Sequence, residues 1–128
     1  MILRKYMSLL GIGSARINLV LPKDTFKPGE DMKGEYHIKG GVIDQKIKRI
    51  DCELIKLKQD KKIEQTFDAP TILTSKLIQS EQSYKIPFTF RLASTLPAST
   101  DEISYRFHVK LTFSEGVESK DQVAIRVI

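Results

Sequence analysis

The chain has little from which catalytic chemistry is usually built. It carries one cysteine, Cys52, in 128 residues. No disulfide can form within it, which fits a reducing compartment. It has two histidines, His37 and His108. Two histidines and one cysteine at unrelated spacings make no recognisable zinc site. No apolar run approaches the roughly 18 residues a membrane-spanning helix needs. Gly11-Ile12-Gly13 lacks the third glycine and the preceding strand of a dinucleotide loop, and neither a Walker-type loop nor a Gly-x-Ser-x-Gly elbow occurs. The remaining candidates have plain structural readings. Cys52 shares parity with Ile50 and Leu54, as a small core residue would. The histidines fall at wet positions of different strands. Asp101-Glu102 are neighbours in a loop, whereas an acid and a base must face one another across a substrate. The expectation is a non-enzymatic protein with no catalytic residue, no metal and no cofactor.

What is present is the make-up of an ordinary soluble domain. The chain is 41% hydrophobic and 29% charged. Its length suits one domain able to bury roughly 65–70% of the surface of its unfolded chain. The net charge is +5. Excess lysine can draw anionic surfaces. It also decorates wet strand faces and blunts edge strands. The cations are spread along the chain (Lys33, Lys39, Lys46, Lys48, Arg49, Lys56, Lys58, Lys61, Lys62), with no interleaved aromatics on which bases could stack. Nucleic acid is therefore not expected as a partner.

Residues 1–10 are the only plausible helix. Ile2, Leu3, Tyr6, Met7 and Leu10 share one face, and Gly11 and Gly13 stop it. This sets an amphipathic segment, 1–13, apart from a domain at 14–128. The rival reading is a signal peptide, with Arg4-Lys5 before Tyr6–Ile12. Its apolar part is short and broken by Ser8 and Gly11.

From Ala15 onward the period is two. Ile17, Leu19 and Leu21 alternate with polar residues. Pro28-Gly29 suits the centre of a type II turn. After it, Met32, Gly34, Tyr36 and Ile38 alternate with Lys33, Glu35, His37 and Lys39, which predicts a sheet dry on one side. Gly40-Gly41 reads as a hairpin breaker. Ile43–Lys58 switches parity between Leu54 and Ile55, implying a bulge or burial on both faces. A helix also fits Ile47, Ile50, Leu54 and Leu57, but the flanking pattern is strand. Ile63–Phe67 and Thr71–Ile78 are weaker strands around Pro70. Tyr84, Ile86, Phe88, Phe90 and Leu92 form a strong strand that Pro87 confines to an edge or a bulge. Leu96–Ser99 is a loop. Tyr105–Phe113 is the cleanest strand, Ser114–Asp121 a polar loop, and Val123, Ile125 and Val127 a last strand. About eight short strands with regular turns predict an all-β sandwich or barrel.

Two blocks carry a family likeness. One is Phe26-x-Pro28-Gly29-Glu30-x-Met32-x-Gly34-x-Tyr36-x-Ile38. The other is Ile86-Pro87-Phe88-Thr89-Phe90-x-Leu92 with Leu96-Pro97-Ala98-Ser99 and Ile103-Ser-Tyr105-x-Phe107-x-Val109. Together they resemble the amino-terminal half of an arrestin-like domain pair. The N-terminal helix, Gly11-Ile12-Gly13-Ser14-Ala15 and the Ile38–Gly41 stretch make it similar to the bacterial sporulation-control protein family (stage zero, type M). The resemblance implies an immunoglobulin-like, arrestin-like β-sandwich of about seven or eight antiparallel strands. It implies a cytoplasmic regulatory or adaptor role without catalysis. Such proteins usually hold two domains and this chain has room for one, so a single-domain relative and a fragment both stay open. Thr66–Ser80 matches nothing in the likeness.

The expected mode of action is protein binding by a sheet edge or face. The expected contacts are the Lys85–Leu92 strand, with Lys85, Pro87, Thr89 and Arg91 on its wet side, the terminal Val123–Ile128 strand, and the helix face Ile2, Leu3, Tyr6, Met7 and Leu10. That helix either packs on its own domain or docks on a partner, a second copy or a membrane surface. A homodimer is expected. The competing function is a basic module binding an anionic membrane surface or nucleic acid.

Overall fold

A computed structural model describes residues 13–128 as ten β-strands, with no helix among them. The expected helix face of Ile2, Leu3, Tyr6, Met7 and Leu10 lies outside the described residues. Three strands make the smaller sheet in the order β1 (Arg16–Val20), β3 (Asp31–Lys39), β8 (Ser83–Arg91), all antiparallel. The larger sheet runs β2 (Thr25–Phe26), β10 (Glu118–Val127), β9 (Ile103–Phe113), β4 (Gln45–Lys58), β5 (Ile63–Asp68). Two further short strands, β6 (Ile72–Leu73) and β7 (Leu77–Ile78), continue the edge of β4 that β5 begins. The pairing is antiparallel except between β2 and β10, which run parallel. The expected all-antiparallel pattern fails there because a two-residue strand was unreadable by alternation.

The two sheets face one another across a single core. Tyr36 and Phe88 of the smaller sheet meet edge to face at 5.3 Å, and Phe88 meets Phe107 of the larger sheet at 5.5 Å. Phe90 approaches Phe107 at 5.4 Å. Edge-to-face contact suits the ring quadrupoles and locks the two layers at one spacing. Alternation supplies the rest. Ile17, Leu19, Met32, Tyr36 and Ile38 point inward while their neighbours stay wet.

The turn at Pro28-Gly29 forms as expected. Glu30 N–H bonds the Lys27 carbonyl at 3.1 Å and Gly29 adopts φ +81°, the conformation that glycine takes without penalty. The parity switch in β4 at Leu54–Ile55 forms by burial on both faces, while a bulge lies earlier in the strand. Ile47 pairs with Phe113 and Arg49 with Thr112, so Lys48 is an extra residue in a bulge. Further on, Leu54 and Ile55 are both buried although they face opposite sides, and Ile55 stands outside the core cluster.

Three expectations are corrected. Gly40-Gly41 does not close a hairpin, because β3 and β4 belong to different sheets and the chain crosses between layers there. Glycine is needed for close approach: a Cβ on Gly41 would run into the Gly13 carbonyl, which accepts the Val42 N–H at 2.8 Å. Ser114–Asp121 is not all loop. Strand β10 begins at Glu118, opposite Thr112, and only Ser114–Val117 turns. Its polar start hid it. Finally, Val123–Ile128 is covered at its end on the side away from β9, where β2 pairs Arg126 and Val127, while Val123–Ile125 meet no strand on that side among the described residues. β10 is paired with β9 through Ile125 and with β2 at Arg126 and Val127, and Ile128 N–H bonds the Phe26 carbonyl.

Candidate functional site

The smaller sheet has two edges, and they are finished differently. Strand β1 pairs with β3 through Arg16, Asn18 and Val20, so its odd residues turn their main chain outward. Each outward N–H is taken by a side chain of the other sheet. Ala15 N–H donates to Gln45 Oε1 at 2.7 Å, Ile17 N–H to Ser119 Oγ at 3.2 Å and Leu19 N–H to Asp121 Oδ2 at 2.8 Å. Gln45 is the one buried polar side chain among the described residues. That edge is sealed.

Strand β8 is the other edge, one of the two arrangements that Pro87 allowed. Leu92 N–H bonds the Glu30 carbonyl at 3.0 Å, and Gly40 N–H bonds the Gln82 carbonyl at 2.7 Å. The even positions of β8 therefore face β3. Ser83, Lys85, Pro87, Thr89 and Arg91 turn their backbone to the open side. No strand among the described residues pairs with them. Pro87 removes one donor from the middle of the row.

The same odd residues place their side chains on the wet face, where the expected contacts Lys85, Pro87, Thr89 and Arg91 are all exposed. Arg91 forks onto Asp31 at 2.8 and 3.3 Å. Lys85 has no carboxylate partner among the described residues. It lies opposite His37, whose Nε2 is 3.2 Å from Glu35. Arg16 lies directly opposite Lys39, an arrangement that like charges disfavour. Arg16, His37, Lys39 and Lys85 share a shallow cleft of about 460 Å³ whose lining contains no carboxylate. Like-charge clustering across strands is a pairing property that a reading along the chain missed.

Inward of the open edge lies a second cleft, of about 600 Å³, lined by Phe67, Asp68, Phe90, Leu92 and Leu96 among others. It opens between the sheets. Of the half-buried β8 residues Tyr84, Ile86 and Phe90, only Phe90 lines it, and Phe88 between them is buried.

Among the described residues His108 shares a cleft of about 550 Å³ with Asp51, Cys52, Glu53 and Asp68. His37 and His108 sit on different sheets. Asp101 and Glu102 are exposed in a turn. Cys52 is buried, and burial pushes its thiol up to about 12, partly opposed by the Tyr36 hydroxyl beside it. Such a thiol is inert at neutral pH. Asp51 is held below the usual carboxylate range, first by the Arg49 guanidinium at 2.8 Å. That pair, with Thr71, braces β6 against β4. Among the described residues no group of three or more His, Cys, Asp or Glu is placed to hold a metal, and no helix is long and apolar enough to cross a membrane.

The family model described as SpoOM protein matches residues 3–128. The chain is 29% identical over 130 residues to the sporulation-control protein Spo0M of Bacillus subtilis (strain 168), covering 97% of this chain and 50% of that protein. The crystal structure of B. subtilis Spo0M matches with a TM-score of 0.75 over 91% of this chain and 50% of its own length. A Niemann-Pick type C2 protein from Japanese carpenter ant, 7% identical, matches with a TM-score of 0.58 over 90% of this chain and 93% of its own, a likeness of fold alone. The chain spans about half the length of the curated relative it matches.

Proposed function

The chain belongs to the SpoOM protein family, and from that premise we propose that it is a non-enzymatic regulatory protein of the sporulation-control kind. It acts in the cytoplasm, through an arrestin-like, immunoglobulin-like β-sandwich that binds protein partners. The observation that carries the binding mode is the contrast between the edges of the smaller sheet. Side chains take every outward N–H of β1, while the outward backbone of β8 meets no strand among the described residues. An unpaired edge is a template for an incoming strand, and proteins that do not use one usually blunt it. Lys85, Pro87, Thr89 and Arg91 frame the contact. The N-terminal face of Ile2, Leu3, Tyr6, Met7 and Leu10 supplies a second contact, to a partner, a second copy or a membrane surface.

The test is proximity labelling in the native cell with wild type, Thr89→Pro and a chain lacking residues 1–10. Thr89→Pro removes an outward N–H and leaves the bonds to β3 in place. Loss of a shared partner set in the edge variant supports the reading. An unchanged set in both variants refutes it. Sedimentation equilibrium showing only monomer at high concentration refutes the homodimer.

A second reading is favoured by one observation, the carboxylate-free cleft around Arg16 and Lys39. It makes the wet face of the smaller sheet a seat for an anionic surface. Binding to vesicles containing phosphatidylserine should then fall steeply between 50 and 200 mM salt, by analogy with other polyelectrolyte contacts, where each released counterion adds to the slope (about 0.7–0.9 per charge on nucleic acids). Salt-independent or absent binding removes this reading and leaves the first intact.

A further inference from the structure

We propose that the open edge of β8 receives an extended segment of a partner protein in which apolar and acidic residues alternate. Its apolar side chains turn into the cleft between the sheets, and its carboxylates lie on the cationic wet face. The proposal rests on the edge-docking reading above and specifies what docks there.

An added strand must continue the period of two, so its side chains fall alternately on the two faces of the sheet. On the inner side they meet Tyr84, Ile86 and Phe90, which the domain leaves half-covered. At the Phe90 end of this row the cleft of about 600 Å³ reaches Phe67 on the facing sheet and Leu96 in the loop after β8. That space suits aliphatic or aromatic side chains, which would complete the core along this margin. Asp68 and Arg91 both stand in its lining, so the preference for acidic residues is set on the outer row.

On the outer side the neighbours are Lys85, Thr89 and Arg91. Lys33 stands opposite Thr89, and His37 opposite Lys85, on the next strand in. Among these, Asp31 is committed to Arg91 and Glu35 to His37. Lys85 and Lys33 remain without carboxylates among the described residues. Opposite charges on cross-strand neighbours stabilise a ladder and like charges oppose it. An acidic outer row is therefore selected and a basic one rejected. Because Pro87 lacks an N–H, the ladder divides into two short runs, at Ser83–Lys85 and Thr89–Arg91.

A second copy is the competing occupant. Its β8 would bring more lysine and arginine to the same margin. Its β5 alternates Ile63 and Phe67 with Glu64 and Asp68, but Glu64 is already paired with Lys56 at 3.2 Å.

The test uses the full chain and three ten-residue peptides: alternating valine and glutamate, alternating valine and lysine, and a scrambled valine–glutamate control. Amide shifts locate binding and calorimetry measures it. The expected result is shifts at residues 83–91, with the valine–glutamate peptide bound at least ten-fold more tightly than the other two. Lys85→Glu should weaken it at least ten-fold and improve the valine–lysine peptide. Thr89→Pro should abolish both; should that variant not fold, Lys85→Glu carries the test. Equal or tighter edge binding of the valine–lysine or scrambled peptide overturns the proposal while the edge reading stands. No shift at 83–91 with any peptide overturns both. Concentration-dependent association that shifts β5 and β8 together also overturns it, naming a second copy as the occupant.

Discussion

The backbone N–H of Leu19 donates to the carboxylate of Asp121 at 2.8 Å, across 102 residues of sequence. Leu19 lies on the outward edge of the smaller sheet and Asp121 on β10 of the larger one. A carboxylate thus does for an edge strand what a neighbouring strand would otherwise do. With Gln45 and Ser119 it closes one edge of the smaller sheet, whose other edge, β8, meets no strand among the described residues.

Asp121→Ala should destabilise the domain by about 1–3 kcal/mol, because the Leu19 N–H loses a charged acceptor at a partly buried site. Asp121→Asn keeps an acceptor and should cost less. Urea unfolding midpoints measure the difference. A wild-type midpoint for Asp121→Ala would show that water replaces the carboxylate without loss.

The Phe88–Phe107 contact should couple the two layers. Phe88→Ala and Phe107→Ala should each cost about 3–5 kcal/mol. A double-mutant cycle should return an interaction of about 0.5–1.5 kcal/mol beyond the buried area. Full additivity would mean that the rings contribute only as bulk.

Cys52 should resist iodoacetamide in the native protein at pH 8 and react once urea unfolds it. Its raised folded pKa has a definite sign. The neutral thiol is favoured on folding, so this contribution is fully present below the unfolded value, about 8.5. It is lost as pH rises from there toward about 12. Cys52→Ala should therefore flatten the alkaline limb of the stability profile while costing core packing at pH 7. Rapid alkylation of folded protein would contradict the burial.

Asp51 has the opposite sign. Its folded carboxyl is held low, chiefly by Arg49, so its contribution is present above the unfolded value near 4 and is lost as pH falls below it. Asp51→Asn should flatten the acid limb, measured by urea midpoints from pH 6 to pH 3. The effect should be modest, since the pair is part-exposed. An unchanged acid limb would assign acid sensitivity to other carboxylates.

Much of the fold was legible along the chain because alternation is a local property. Met32, Tyr36 and Ile38 had to share a face whichever strand they met, and Pro28-Gly29 had to turn. Pro87 confined its strand to an edge or a bulge, and the tertiary pairing chose the edge. The candidate contacts Lys85, Thr89 and Arg91 follow from that one proline and the period of two.

Other features depend on what lies opposite, and no residue carries that information alone. Gly40-Gly41 resembles a hairpin, yet the chain crosses layers there because β4 finds its ladder with β9. The strand at Glu118–Lys120 was hidden by polar residues whose places only β9 defines. The roles of Gln45, Ser119 and Asp121 appear only when the second sheet brings them to the Ala15, Ile17 and Leu19 amides. Local side-chain alternation settled that this chain is β and which faces are dry. Long-range pairing decided which strand edge stays open, because a backbone donor is satisfied by whatever reaches it in space, however distant in sequence.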